Sequence, residues 1–220
     1  KEQDNYIHAT ANGAVTAGKA VVINSSGDIE AVSATAKQSW SKGTKVDLNG
    51  NGMSNTNQGI IYDTGADKFV FATTAAGSPG LTSGYGAAYV VSMASDGALT
   101  AASPVSFHSA NTDCVRIAFD PTSGKTAILF RDTGNSNYGN VVIGSISGTT
   151  ISFGTPVIFN SANISDECGI AAGGGYALVH YGDSSDSKSQ LGAISGTSIS
   201  FAAKVVVDST TGCSYRRVTY

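Results

Sequence analysis

Residues Asn140 to Phe159 read NVVIGSISGTTISFGTPVIF, and they decide the fold because the same pattern returns elsewhere in the chain. One copy, AISGTSISFAAKVVV, runs from Ala193 to Val207, and a more divergent copy, YVVSMASDGALTAASPVSF, runs from Tyr89 to Phe107. Each copy holds two apolar stretches around a turn that contains glycine, which is the pattern of a β-hairpin. The copies recur at intervals of about 50 residues, a spacing typical of repeat folds such as propellers.

The middle copy belongs to a unit with four predicted strands. The strands cover residues 115–119, 126–131, 140–147 and 150–159, the last with a bend at Gly154. A Pro-Thr-Ser-Gly turn joins the first two strands, because Pro121 sets the first φ and Gly124 closes the turn. The run from Thr126 to Phe130 is apolar without alternation, which indicates a strand covered on both faces. Four antiparallel strands in each repeat predict an all-β fold of β-propeller-like blades.

The sequence predicts two domains. Residues 1–43 form a small N-terminal β module, with strands at 19–24 and 29–32 on either side of a Ser-Ser-Gly-Asp turn. Residues 44–220 form the propeller-like repeat domain. Its units span about 45–107, 108–159 and 160–207, followed by a partial unit at 208–220. The partial unit indicates a truncated repeat or closure with other chains. The lack of an initial Met predicts a fragment, a processed form or the ordered part of a longer protein.

Composition excludes several classes of protein. The net charge is −3 and only 13% of residues are charged, so the chain lacks the basic stripe that would neutralise nucleic-acid phosphates. No apolar run approaches the roughly 20 residues that span a bilayer. The first residues, among them Lys1, Glu2 and Asp4, do not match the pattern of a signal peptide.

The three cysteines, Cys114, Cys168 and Cys213, fall at matching places in successive units. An odd number at equivalent positions does not indicate a disulfide framework, and their wide spacing is not that of a zinc site. We therefore expect small apolar side chains in packed surroundings, as in a protein that folds in a reducing cytoplasm.

Groups that could perform catalysis are scarce. The three histidines, at positions 8, 108 and 180, stand apart from any nucleophile or metal motif, and glutamate occurs only at positions 2, 30 and 167. A pair of carboxylates for glycoside cleavage would have to come mainly from aspartates, and no such pair can be assigned. The sequence therefore predicts a protein that is not an enzyme and needs no cofactor.

Candidate binding residues are aromatic or lie in one polar loop. Trp40, Tyr85 and Tyr138 are candidates for stacking on a sugar, although a cover over an apolar edge is the favoured explanation of Trp40. In the loop at 131–139, Asp132, Asn135 and Asn137 carry oxygen atoms at spacings that could bind Ca²⁺ weakly, while Asx-turns account for the same residues.

Two long stretches resemble a known repeat. AFDPTSGKTAILFRDTGNSNYGNVVIGSISGT starts at Ala118 and overlaps SGTTISFGTPVIFNSANISD, which ends at Asp166. Together they closely resemble a repeat of structural proteins of tailed bacteriophages and marine viruses. The resemblance covers roughly 45–220 and is closest in the second unit. The N-terminal 30 residues also resemble small β modules of virion proteins, which implies that the module at 1–43 is of the virion-anchoring type. These resemblances imply a propeller-like virion component and bring no catalytic residues.

We therefore expect a non-enzymatic virion structural protein, displayed on a tail, fibre or capsid surface of a phage and in contact with host surface glycans. The expected partners are other virion proteins, further copies of the chain in a homo-oligomer, and a host glycan, without nucleic acid or membrane. The expected location is the extracellular particle, after folding in the host cytoplasm. A secreted bacterial carbohydrate-binding propeller is the alternative, and a polysaccharide-cleaving enzyme on the same scaffold is less favoured.

Overall fold

The protein is all-β, as the sequence predicts. The structure is a computed structural model, and it describes residues 11, 14, 21–23, 26, 28–31, 58–75, 81–95, 97–183 and 186–209. No helix occurs among these residues. The backbone separates into two compact units, Lys1–Lys42 and Gly43–Tyr220. The sequence predicts this boundary one residue later.

The described residues form sixteen strands. In chain order they are β1 (Val21–Ile23), β2 (Ile29–Ala31), β3 (Gln58–Asp63), β4 (Lys68–Thr74), β5 (Tyr85–Met93), β6 (Leu99–Ala101), β7 (Val105–Asp120), β8 (Lys125–Asp132), β9 (Tyr138–Ser147), β10 (Thr150–Phe153), β11 (Val157–Asn163), β12 (Gly169–Gly173), β13 (Tyr176–Asp183), β14 (Asp186–Ser195), β15 (Ser198–Phe201) and β16 (Val205–Asp208).

In the N-terminal unit, β1 and β2 form an antiparallel pair in which Val21 lies opposite Ala31 and Ile23 opposite Ile29. The two strands fall within the segments predicted from the sequence. The remaining predictions for residues 1–43 concern residues outside those that the structure describes.

The larger unit contains two antiparallel sheets. A nine-stranded sheet has the order β10-β9-β8-β7-β5-β4-β3, with β6 also paired to β5 and β11 also paired to β9. This sheet is curled. A five-stranded sheet has the order β12-β13-β14-β15, with β16 also paired to β14.

Within the nine-stranded sheet, β7 changes partners along its length. Its first part, up to Asn111, pairs with β5, and its second part, from Thr112, pairs with β8. Register shifts interrupt both pairings, and Cys114 lies in the second shift with a φ of 49°. Because an extra residue bends a strand and increases its twist, these bulges let one strand pass from one layer to the next.

The strands divide into three repeats with the same pairing plan. Repeat 1 contains β3 to β6 and the first part of β7, repeat 2 contains the rest of β7 and β8 to β11, and repeat 3 contains β12 to β16. In each repeat three strands form a meander, and two short strands pair with different parts of the third. At the passage into repeat 2, Thr112 pairs with Asp132. An isolated bridge between Ile164 and Asp183 is the equivalent pairing at the passage into repeat 3.

The strand predicted at 150–159 is two strands, because residues 154–156 leave the ladder between β10 and β11. Gly154 explains the break. A Cβ at this position would lie 2.0 Å from the backbone oxygen of Thr197 in repeat 3, so the chain needs glycine where the two repeats come close together.

Two apolar cores lie on opposite faces of repeat 2. The first core joins repeats 1 and 2 through Val70, Ala72, Ala88, Val90, Phe107, Ile128, Phe130 and Val142, among others. The second core joins repeats 2 and 3 through Ala127, Leu129, Val141, Ile143, Val179 and Tyr181, among others. Residues from Thr126 to Phe130 are at most 1% exposed, which confirms that this strand is covered on both faces. Alternate side chains of β8 and β9 thus serve different cores.

A glycine under a phenylalanine recurs at both junctions. A Cβ added to Gly86 would lie 2.2 Å from the ring of Phe107, and a Cβ added to Gly139 would lie 2.4 Å from the ring of Phe159. Each ring then packs on an aromatic residue of the next repeat, with centroid distances of 5.3 Å from Phe107 to Phe130 and 4.9 Å from Phe159 to Tyr181.

Repeat 3 differs at both members of this pair. Ser187 stands where the other repeats have glycine, and Val207 stands where they have phenylalanine. We expect a smaller side chain on the outer strand to leave room for a Cβ below it, so that the two differences compensate for each other.

We expect the variant Gly139→Ser to be destabilised by about 1–3 kcal/mol, because its Cβ would overlap the Phe159 ring. Adding Phe159→Val should reduce this cost, since the double variant reproduces the pair found in repeat 3. Urea unfolding of the wild type, both single variants and the double variant measures the coupling. Purely additive free energies would contradict the pairing.

Candidate functional site

Two kinds of connection lie at opposite ends of the repeats. The first end is where, in each repeat, the second strand is connected to the third and where the chain passes to the next repeat. We name it the crossover end. In repeat 2 the register places Asp132 opposite Tyr138, and Tyr138 opposite Asn163, at this end. The hairpin end carries the remaining turns, such as 120–125 and 147–150. Gly148 has a φ of 62° in the second of these turns, in keeping with the predicted hairpin.

A disulfide between Cys114 and Cys168 links the two passages at the crossover end. Both residues are 1% exposed, and their Cα atoms lie 6.9 Å apart. The prediction of unpaired thiols was therefore wrong for these two residues, and Cys213 lies outside the described residues. The equivalent positions of the cysteines, which argued against a framework, bring them together because successive repeats stack directly on each other.

Arg131 reinforces this link through ionic contacts. Its Nε and Nη2 donate to the two carboxylate oxygens of Asp113 at 2.6 and 2.5 Å. Its Nη1 donates to the backbone oxygen of Ile164 at 3.0 Å and also pairs with Asp166. The hydrogen bond with Asp113 is the main cause that raises the pKa of Arg131. Arg131 thus holds Asp113 of its own repeat by a two-point contact that lysine could not make, while its Nη1 contacts the passage into repeat 3.

We call the disulfide and the Arg131 contacts together the inter-repeat clamp, made of Cys114, Cys168, Asp113, Arg131 and Asp166. Sequence reasoning missed it. Repeat 3 has Gly182 at the position of Arg131, so no repeated signal marks the arginine. Only the recurrence of cysteine before each first strand could have drawn attention to this region.

The only carboxylate in the loop at 131–139, that of Asp132, contacts other groups of the protein. One oxygen of Asp132 accepts a hydrogen bond from the backbone N–H of Gly134 at 3.0 Å, as in an Asx-turn. The other oxygen lies 3.2 Å from Nε2 of His108, a residue of repeat 1, without the alignment of a hydrogen bond. Asn135 is exposed, and Asn137 has a φ of 60°. The geometry therefore favours the Asx-turn interpretation over a calcium site.

Clusters of metal ligands are also absent from the rest of the described chain. Within the described residues no group of three or more His, Cys, Asp or Glu side chains could hold a metal ion. Among the same residues, no helix has the length and apolar character needed to cross a membrane.

The structure places two of the three predicted aromatic residues at equivalent positions. Tyr85 and Tyr138 are the first residues of β5 and β9, at the crossover end, and both are half-buried rather than fully exposed. Each lies opposite an asparagine of the passage to the next repeat, Asn111 and Asn163 respectively. Trp40 lies outside the described residues, so its role stays a prediction.

The corresponding loop in repeat 3 is held by ionic contacts. Lys188 pairs with Asp183 and lies 3.5 Å from a carboxylate oxygen of Asp186. The hydrogen bond with Asp183 is the main cause that raises the pKa of Lys188. The polar contacts at the crossover end therefore differ from repeat to repeat while the strands below them keep one plan.

Tyr181, on the strand that leads into this loop, carries a buried hydroxyl. Tyr181 is fully buried and donates from its hydroxyl to Oε1 of Gln190 at 3.0 Å. Nε2 of Gln190 donates in turn to the backbone oxygen of Ala202 at 3.1 Å. Burial, and to a smaller degree the charge of Asp183, raises the pKa of Tyr181 to about 12. This tyrosine therefore stays neutral in the folded protein and contributes to packing and to this hydrogen-bonded chain.

Comparison of the chain with protein-family models, curated proteins and solved structures finds no match. The resemblance to phage repeat proteins therefore rests on the quoted residues alone.

Replacing both clamp cysteines, as in Cys114→Ser/Cys168→Ser, should lower the free energy of unfolding by about 4 kcal/mol, because a cross-link over 54 residues restricts the unfolded chain. Urea unfolding with and without a reducing agent measures the loss. The double variant should show no further response to the reducing agent at these positions. Peptide mapping that finds Cys213 bonded to Cys114 or Cys168 would contradict the assigned pairing.

Proposed function

We propose that this protein is a non-enzymatic structural component of a phage particle, displayed on a tail, fibre or capsid surface, and that its repeats are four-stranded β-propeller-like blades. The observation that carries the proposal is the stacking of like repeats through two continuous apolar cores. Such stacking, together with the inter-repeat clamp, makes a rigid scaffold, which suits a displayed structural part. The resemblance of the repeat to phage structural proteins is the reason for proposing a phage particle as its place.

The pairing plan supports the assignment of blades. In repeat 2 the second part of β7, β8 and β9 form a meander, and β10 with β11 together line the free edge of β9. On our proposal β10 and β11 are a single outer strand interrupted at 154–156. The chain then passes from this outer strand to the first strand of the next repeat, as in propeller connections.

The crossover end is the proposed place of contact with host surface glycans. Tyr85 and Tyr138 offer aromatic faces, and the asparagines opposite them, Asn111 and Asn163, are exposed hydrogen-bonding groups. Aromatic stacking combined with amide hydrogen bonds is a chemistry suited to sugars. The proposed partners are thus a glycan, other virion proteins and further copies of the chain, without nucleic acid, membrane or cofactor.

The disulfide favours one alternative. Disulfides persist in oxidising surroundings, and the Cys114–Cys168 bond is fully buried. A protein exported before it folds would form this bond directly, which supports a secreted bacterial carbohydrate-binding propeller as the second candidate. A virion protein that folds in the cytoplasm would have to acquire the bond during or after assembly.

The two candidates differ in where the protein is found. We expect peptides of this chain to sediment with intact particles in a density gradient of a lysed culture, and surface labelling to reach them without disruption of the particles. A capsid protein and a soluble secreted protein from the same culture serve as controls. Recovery only in the soluble fraction would exclude the particle and support the secreted candidate.

The glycan contact is tested with surface polysaccharides immobilised on an array. We expect Tyr85→Ala and Tyr138→Ala each to weaken binding by about tenfold, the loss of one aromatic contact. Tyr176→Ala is the matched control, because Tyr176 is exposed but starts β13 at the hairpin end. Trp40→Ala tests the third aromatic candidate. Equal loss for Tyr176→Ala, or no binding by the wild type, would contradict the proposed contact.

A further inference from the structure

The crossover end carries the same pair of residues twice. Tyr85 is the first residue of β5, and Tyr138 is the first residue of β9. The first part of β7 and the strand β11 contain one motif, which reads FHSAN ending at Asn111 and FNSAN ending at Asn163. The register brings tyrosine and asparagine together in both repeats. We name Tyr85 with Asn111 the first subsite, and Tyr138 with Asn163 the second subsite.

The backbone around the two subsites is also the same. The residue before each tyrosine has a positive φ, 89° at Gly84 and 60° at Asn137. Its carbonyl oxygen accepts a hydrogen bond from the residue that follows each asparagine. The N–H of Thr112 donates to Gly84 at 2.8 Å, and the N–H of Ile164 donates to Asn137 at 3.1 Å. Equivalent turns therefore hold each tyrosine beside its asparagine.

Packing of the repeats does not explain these four side chains. They belong to neither apolar core, and both asparagines are exposed while both tyrosines are half-buried. Within the described part of the chain, their hydroxyl and amide groups make no hydrogen bond to another residue. Repeat 3 keeps the same strand plan with Asp186 at the place of the tyrosine, and its sequence at 207–211 reads VDSTT instead of FNSAN. The fold therefore forms without the pair.

The two subsites are neighbours. The loop that leads to Tyr138 rests on the first subsite, because the backbone N–H groups of Thr133 and Gly134 donate to the backbone oxygen of Asn111 at 2.9 and 3.4 Å. The subsites also belong to successive layers of the stack, and stacked sheets pack about 10 Å apart. A ligand that reaches both subsites must therefore be longer than one sugar.

We propose that the two subsites bind successive repeating units of one linear polysaccharide. Two copies of one site recognise the same chemical group twice, and a polymer presents the same group at regular intervals. Once the first unit is bound, binding of the second is intramolecular, which raises the affinity without any new kind of contact. This inference rests on the proposed glycan contact and adds the class of ligand, a long repeating chain instead of a single terminal sugar.

Titration calorimetry of the full chain tests the proposal with two probes. One is the surface polysaccharide that binds on the array, and the other is its oligosaccharide of one repeating unit. We expect two oligosaccharides to bind per chain, and the polysaccharide to bind at least about tenfold more tightly than the oligosaccharide. Tyr85→Ala and Tyr138→Ala should each leave one oligosaccharide bound with unchanged affinity, and each should abolish the gain shown by the polysaccharide.

A second pair of variants acts on the same subsites through exposed side chains. Asn111→Ala and Asn163→Ala should reproduce the loss of one bound oligosaccharide each, and circular dichroism confirms that every variant is folded. Tyr176→Ala is the matched control and should keep both subsites, because Tyr176 starts β13 at the hairpin end.

The outcomes separate this inference from the glycan contact on which it rests. One oligosaccharide bound per wild-type chain, or equal affinity for the oligosaccharide and the polysaccharide, would overturn the two subsites and leave the glycan contact standing. Absence of binding by both probes would overturn the glycan contact and the subsites together.

Discussion

The burial of repeat 2 on both faces is the constraint on which the rest of the structure depends. The strand β8 has no solvent side, so its apolar residues cannot alternate with polar ones as in a sheet with one wet face. The three stacked repeats can pack this closely only where a side chain is missing or where neighbouring side chains match in size. Gly154 lies where repeats 2 and 3 come close at Thr197, and Gly139 leaves room for the Phe159 ring that packs on Tyr181 of repeat 3. Packing therefore dictates both the apolar runs and the positions of these glycines.

A stack of layers also requires the chain to leave one layer and enter the next at a fixed place. The bulge at Cys114 allows this, although a positive φ costs an ordinary residue about 1–2 kcal/mol. The clamp holds the bent segment, because the disulfide joins it to the following passage and Arg131 joins it to Asp166. The residue with positive φ is thus held by a covalent bond, and the clamp adds to the second core in joining repeats 2 and 3.

Much of this architecture can be read from the sequence, and the reasons for the failures are physical. The hairpin at Gly148 and the two-sided run from Thr126 to Phe130 depend on local pattern, and local pattern predicts them. The pairing of Cys114 with Cys168 depends on how far apart successive repeats stand, which no local pattern records. The partners of Arg131 cannot be predicted for the same reason, because its two acids come from β7 and from the passage into repeat 3. Of the candidate site, the positions of Tyr85 and Tyr138 at one end follow from the repeat, whereas their partial burial depends on loops that differ between repeats.

The contrast between strands and crossover loops bears on where evolution could place a function in this scaffold. At equivalent places on the outer strands, His108, Asn160 and Asp208 differ in charge and hydrogen-bonding capacity, yet the strands that carry them pair in the same way. His108 contacts Asp132 of the next repeat, while Asn160 donates to the backbone oxygen of Ala162 within its own repeat. These positions can therefore change without loss of the apolar cores beneath them. Recognition at the crossover end would then evolve without disturbing the packing that joins the repeats.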